Sequence, residues 1–385
     1  MKIQQLRKKI DKIDKKLLNL FEKRMKISLK IANYKISTAK KIVDFKREND
    51  ILKTVKKRST QKFTHSNSFI FSTIINVSKF FQYRKIKTLP KNIKNIINIS
   101  MEKIINTPEE NINKISPPRL GCLETNDNYS QIATSRAFPY STINNYTFIS
   151  DLFDALDQHI IDFGVIELNN PYQQSINNIY DIINENNTYI HKILNLNASY
   201  CLAVNPKNKN DFQKIISTKQ ILSQCSKYIK KYQYEKSTLD LIFESAFLIS
   251  KLDEPLAVIC PKETALKYNL NIMEENVQDH IENNRKFIVI SKNIYTTQNQ
   301  NILSLAIEIN DTTKFLSNIS TYFNINNIKP INLQIKPLKN KNNNATVYLD
   351  ILGNINDKPI ISFINYIKHE SNSFQLLGCY SEENI

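Results

Sequence analysis

Three short stretches of this 385-residue chain carry side chains that could act together on a small anionic molecule. Arg24 and Lys35 are eleven residues apart, and at about 100° per residue they return to nearly one face of a helix. Asp44, Arg47 and Glu48 stand at i, i+3 and i+4, while Ser78 and Gln82 are four apart, so each set shares a helix face. Brought together, these side chains make a pocket of cations, two carboxylates and neutral hydrogen-bonding groups. Such a pocket can hold a carboxylate-bearing substrate and stabilise charge that develops on an oxygen. The same residues also fit a solvated surface with i, i+4 pairs worth a few tenths of a kcal/mol each, and spacing alone leaves both readings open.

The elements that must position them are helices. Residues 1–89 contain neither proline nor glycine; the first of each are Pro90 and Gly121. Ile3, Leu6, Ile10, Ile13, Leu17 and Leu20 recur at spacings of three and four, the stripe of a helix meant for a partner helix. With Ile27, Ile31 and Tyr34 the stripe predicts one helix over 3–37, roughly 50 Å long at the helical rise. Further helices are predicted over 44–57 and 66–86, the latter with Phe69, Ile70, Ile74, Val77 and Phe81 on its apolar side. A helix that long cannot bury its stripe alone, so an intertwined all-α dimer is expected. The charge is concentrated here as well. Residues 1–90 hold 25 Lys and Arg against 6 Asp and Glu, whereas the rest of the chain is near neutral. That asymmetry implies an anionic partner, or follows from a chain rich in Lys, Ile and Asn throughout.

Beyond Pro90 the texture changes. Residues 91–118, which follow Pro90 and hold Pro108, Pro117 and Pro118, read as a linker. Apolar runs at Phe163–Leu168, Leu256–Cys260 and Phe287–Ser291, interleaved with helical stretches, make 119–292 an α/β domain. The stretch 302–380 reads β-α-β-β-α-β, with strands near 302–309, 328–336, 345–352 and 374–380, a ferredoxin-like α+β order. Only four glycines occur, none spaced for a dinucleotide turn or a phosphate loop, which excludes classical nucleotide-binding folds. Five scattered cysteines and five dispersed histidines offer no metal-ligand spacing, and the cysteines read as small packing residues in a reducing compartment. Neither a membrane span nor a secretory signal is seen, so a cytoplasmic location is expected, with no metal and no cofactor.

LRKKIDKIDKKLLNLFEKR, then NYK, then VDFKREND resembles the all-helical chorismate mutase family. The order of motifs along the whole chain is similar to the bifunctional chorismate mutase/prephenate dehydratase family, which ends in an ACT regulatory domain. That resemblance implies a helical mutase domain at 1–90, a two-lobed, periplasmic-binding-protein-like dehydratase domain at 119–292, and an ACT domain at 302–380. It adds Arg7 to the mutase set, giving Arg7, Arg24, Lys35, Asp44, Arg47, Glu48, Ser78 and Gln82. Its chemistry, chorismate to prephenate, is a unimolecular rearrangement that needs a compact conformer and charge stabilisation and no nucleophile. By analogy Arg7 and Arg24 clamp two carboxylates, Lys35 and Gln82 donate to the ether oxygen, and Asp44 and Glu48 hold the ring hydroxyl. Arg7 and Arg24 are 17 residues apart on one helix, roughly 26 Å, so one ten-carbon substrate requires Arg7 from another subunit.

The dehydratase motifs depart from the family pattern. FGVIELNNPYQQSINNIYDII stands where the family has VPIENS, placing Asn169 at its Glu and Glu167 at its Pro, with Asn170 following. The TRF motif reads Arg285-Lys286-Phe287, and Ser237-Thr238 keep part of an S-T motif. The family's Thr assists departure of the ring hydroxyl; an arginine binds anions but donates a proton poorly. Lys286 could hold a carboxylate in place of the family's Arg. The phenylalanine-binding motifs fall on Lys314-Phe315-Leu316 and Gln334-Ile335-Lys336-Pro337, so weak or absent feedback inhibition is expected. Thus the leading expectation is a homodimeric or larger bifunctional enzyme of phenylalanine biosynthesis acting on chorismate and prephenate. A mutase with an inert dehydratase/ACT scaffold is the runner-up, and a basic helical nucleic-acid-binding module the outside alternative.

Overall fold

The computed structural model describes residues 3–97, 117–124, 128–168, 179–207, 212–280, 283–296, 299–338 and 344–385. The chain divides into two compact units, Met1–Ile99 with Thr296–Cys379, and Ser100–Tyr295 with Tyr380–Ile385. The helical segment and the C-terminal βαββαβ segment therefore belong to one unit. Among the described residues, no helix is long and apolar enough to cross a membrane.

The first unit opens with α1 (Ile3–Ser37), α2 (Phe45–Arg58) and α3 (Thr64–Tyr83). These bounds agree with the predicted 3–37, 44–57 and 66–86 to within three residues. Asp44 caps α2 by accepting from the Arg47 backbone N–H at 3.0 Å, while Glu48 in the first turn and Lys56, Lys57 and Arg58 in the last suit the helix dipole. On α1 only Met25, Ser28 and Ala32 are buried, and Ile3, Leu6, Ile10, Ile13, Leu17 and Leu20 are all exposed. The first half of α1 thus presents an exposed apolar stripe. The segment read as a linker is helical over 91–97, where Pro90 suits the start of a helix and Ile93 is buried.

The second unit holds β1 (Arg119–Leu123), β2 (Thr142–Tyr146), β3 (Phe163–Glu167), β4 (Tyr189–Asn197), β5 (Tyr200–Val204), β6 (Lys214–Ser217), β7 (Glu235–Thr238), β8 (Leu256–Pro261), β9 (Asn271–Glu275) and β10 (Asn284–Ser291). Two sheets result. One runs β4-β10-β3-β1-β2 and the other β7-β6-β8-β5-β9, the chain crossing between them after β4 and returning after β9. Gly121 and Gly164 face each other across β1 and β3, and a Cβ on Gly164 would lie 2.6 Å from Leu152 Cδ2. Gly164 therefore serves close helix-on-sheet packing, whereas a Cβ on Gly121 would meet Ile161 and Tyr146.

The rest of the first unit is β11 (Ile302–Ile309), the helix Thr312–Asn326, β12 (Lys329–Pro337), β13 (Ala345–Leu352), the helix Lys358–Glu370 and β14 (Ser373–Tyr380). Its strand order, β12-β13-β11-β14, is that of a ferredoxin-like βαββαβ unit. A final strand, β15 (Glu382–Asn384), pairs with β4 in the second unit.

Both helices of this βαββαβ segment pack on α3. Phe80 meets Tyr322 edge-on with centroids 4.7 Å apart and Tyr366 at 5.1 Å, and Asn76 donates to Asn318 at 2.7 Å. Arg84 donates to Asn326 Oδ1 at 2.7 Å.

Candidate active site

The second half of α1, the first turns of α2 and the last turns of α3 enclose a cavity of about 410 Å³. Its lining includes Arg24, Lys35, Asp44, Arg47, Glu48, Ser78 and Gln82, seven of the eight mutase positions singled out from the sequence. Apolar walls come from Ile27, Ile31, Ile42, Ile51 and Ile75. Arg24 donates to the Ser78 hydroxyl and, at 3.4 Å, to the Ile74 carbonyl. Burial pulls its guanidinium below the ordinary arginine value. Lys35 Nζ donates to the Ile42 carbonyl at 2.5 Å, which ties the end of α1 to the loop ahead of α2. Gln82 Nε2 donates to Ser28 Oγ at 2.8 Å, leaving the amide's second N–H for another acceptor.

Arg7 is absent from this lining. It lies exposed on α1, 17 residues from Arg24. Two lining residues escape a reading by motif. Ser28 stands one turn after Arg24, a spacing that could have revealed it. Lys79 carries no local signal, because nothing in the sequence separates it from the other lysines of residues 1–90. It is nevertheless buried, with Nζ 3.5 Å from Glu48 Oε2 and 2.7 Å from Glu370 Oε1.

In the second unit the described dehydratase positions have different surroundings. Strand alternation turns Arg285 and Phe287 inward and Lys286 outward. Arg285 is 7% exposed, pairs with Glu167 at 3.3 Å, donates to the Tyr200 hydroxyl at 3.1 Å and lies 4.6 Å from the Tyr129 ring centre. Lys286 pairs instead with Glu382 at 2.9 Å, so its ammonium is engaged at the surface. Partial burial raises the Glu382 carboxyl, but hydrogen bonds from Lys286 and Asn195 outweigh that and hold it below the ordinary range. Ser237 and Thr238 end β7, an edge strand of the other sheet. Asn169 and Asn170 lie outside the described residues. Thr218 caps the helix Lys219–Gln224 by accepting from the Ile221 N–H. Two cavities are formed by described residues of this unit. One of about 270 Å³ is lined by Asn128, Gln131, Arg136, Glu263 and Lys267 among others, and one of about 200 Å³ by Glu124, Asn145 and Tyr268 among others.

Comparison with known proteins follows the same division. Residues 6–83 match the family model for chorismate mutase type II, and residues 121–294 that for prephenate dehydratase. A bifunctional chorismate mutase/prephenate dehydratase from Enterobacter agglomerans is 23% identical over 99% of this chain and 96% of its own. One from Buchnera aphidicola subsp. Acyrthosiphon pisum (strain APS) is 26% identical over 98% and 96%. The solved prephenate dehydratase from Staphylococcus aureus subsp. aureus Mu50 superposes with a TM-score of 0.58 at 20% identity, covering 68% of this chain and 99% of its own, which establishes a shared fold. The chain therefore joins a chorismate mutase type II domain to a prephenate dehydratase domain.

Proposed function

We propose that this chain is a bifunctional enzyme of phenylalanine biosynthesis. Chorismate is rearranged to prephenate in the helical cavity, and prephenate loses water and carbon dioxide in the α/β domain to give phenylpyruvate. The observation that carries the mutase reading is one cavity lined by seven residues chosen by type and spacing. The rearrangement breaks the ether C–O bond as a C–C bond forms, so negative charge develops on the ether oxygen. Lys35 retains two N–H groups and Gln82 one with which to stabilise it, and the neutral amide keeps its donor at any pH. Arg24 takes one substrate carboxylate, bidentate contact being the natural geometry of a guanidinium, with Arg47 close by on α2. Asp44 and Glu48 accept from the ring hydroxyl.

The second carboxylate needs Arg7 of another copy, because Arg7 of the same chain lies roughly 26 Å away along α1. The exposed Ile3, Leu6, Ile10, Ile13, Leu17 and Leu20 give that copy an apolar seam to pack on. A homodimer is thus the smallest complete mutase. The division we assign is mutase at 1–90, a connecting segment at 91–118, a two-lobed dehydratase at 119–292 and an ACT regulatory domain at 302–380. Feedback by phenylalanine is weak or absent in this reading, since Lys314-Phe315-Leu316 and Gln334–Pro337 keep little of the family's binding motifs. The cytoplasm is the assigned location.

One observation favours a second reading for the α/β domain. Arg285 is buried against Glu167, Tyr200 and Tyr129, and an arginine in that setting binds charge without supplying a proton. A mutase on an inert body would result. The purified full chain is incubated with chorismate while prephenate and phenylpyruvate are followed separately. Both products are expected from the bifunctional enzyme. Prephenate alone establishes the second reading, and untouched chorismate overturns the mutase assignment.

A further inference from the structure

We infer that Lys79 is a positioning residue of the mutase cavity, and that its partner Glu370 makes the C-terminal βαββαβ segment part of that site. The inference rests on the mutase reading above. Lys79 lines the cavity, yet its side chain is only 5% exposed and its ammonium sits between two carboxylates. Glu48, from α2, is 3.5 Å away; Glu370, the last residue of the helix Lys358–Glu370 and 291 positions along the chain, is 2.7 Å away. A buried lysine needs such partners to remain charged. The shorter contact anchors the ammonium on Glu370. The longer one directs the Glu48 carboxylate without occupying it, so Glu48 stays available to a substrate hydroxyl. Glu370 lies far outside the 6–83 stretch matched as mutase. The packing of Phe80 on Tyr322 and Tyr366, and of Tyr83 on His369, fixes the spacing that lets Glu370 reach Lys79.

The test is a double-mutant cycle on mutase kcat/KM in the full-length protein. Glu370→Gln keeps size and shape but releases Lys79 onto Glu48, and the expected loss is about three- to tenfold, mostly in KM. Lys79→Met removes the ammonium, with an expected loss on the order of tenfold to a hundredfold. In a Glu48→Gln background both effects vanish, because the group being positioned is gone. A purely structural role would lower activity by the same factor in either background, and that result overturns the inference. So would kcat/KM unchanged in both single variants. Should Lys79→Met not fold, the isosteric Glu370→Gln/Glu48→Gln cycle decides alone. Wild-type protein that leaves chorismate untouched overturns the function itself, which separates that failure from this one.

Discussion

Removing Arg7 from one population of chains and Arg24 from another tests the two-chain site directly. Along α1 the two arginines are separated by roughly 26 Å, several times the reach of a ten-carbon dicarboxylate, so no single α1 can offer both to one substrate. Each variant, Arg7→Ala or Arg24→Ala, lacks one carboxylate ligand in every site of its homodimer. Loss of a single preorganised donor costs about 3–4 kcal/mol, a fall of about 10² to 10³ in kcat/KM. Co-expression with two affinity tags then gives mixed dimers. In a mixed dimer one site receives Arg24 from the first chain and Arg7 from the second and is intact, while the other site lacks both. With statistical pairing half the dimers are mixed, so the mixture recovers about one quarter of wild-type activity, and doubly tagged dimers about one half. A mixture no more active than its components would refute the shared site. Full activity in a chain that sediments as a monomer at assay concentration would refute it as well.

Two further outcomes concern the second unit. His191 is half-buried against Phe163 and Tyr295, its Nδ1 has no hydrogen-bond partner among the described residues, and desolvation together with Lys192 pulls its imidazole down to about 4. The unfolded chain therefore binds the extra proton between pH 6.5 and 4, stability falls as pH drops through that window, and wild type should lose about 2 kcal/mol more than His191→Leu between pH 7.5 and 5 in urea unfolding. Equal losses in the two proteins would dismiss His191 as the sensor. Arg285→Thr removes the cation beside buried Glu167 and should destabilise by about 3–5 kcal/mol, whereas Arg285→Thr with Glu167→Leu should regain most of it. A double variant with a denaturation midpoint as low as the single one would contradict that coupling.

The helical bounds were legible because residues 1–89 contain no breaker and because Asp44 with Glu48 writes a helix start into the sequence. Spacing grouped the seven cavity residues on helix faces but left a solvated surface equally open, and it was the family resemblance that singled them out. Arg7 came from that resemblance alone, and the length of α1 then assigned it to another subunit. The period-two alternation of β10 already separates Arg285 and Phe287 from Lys286. The fate of Arg285 was hidden, for its partner Glu167 lies 118 residues away on β3. Neither residue could be buried charged without the other, and only tertiary structure pairs them. Short edge strands such as β7, four residues that are all polar, carry no apolar alternation to read.

The burial of α3 explains why Lys79 escapes a sequence reading and why it matters. At about 100° per residue, Ile75, Ser78 and Gln82 fall on one stripe and Asn76, Phe80, Tyr83 and Arg84 on the next, with Lys79 between them. The first stripe lines the mutase cavity and the second packs on the helices Thr312–Asn326 and Lys358–Glu370. A helix with two buried stripes has no single apolar face, and a lysine on the boundary looks like a solvated one. In the fold, Lys79 reaches from that boundary to a carboxylate on each side, Glu48 and Glu370. Any shift of the βαββαβ helices against α3 would therefore change how Glu48 is held, while Ser78 and Gln82 could keep their places through Arg24 and Ser28.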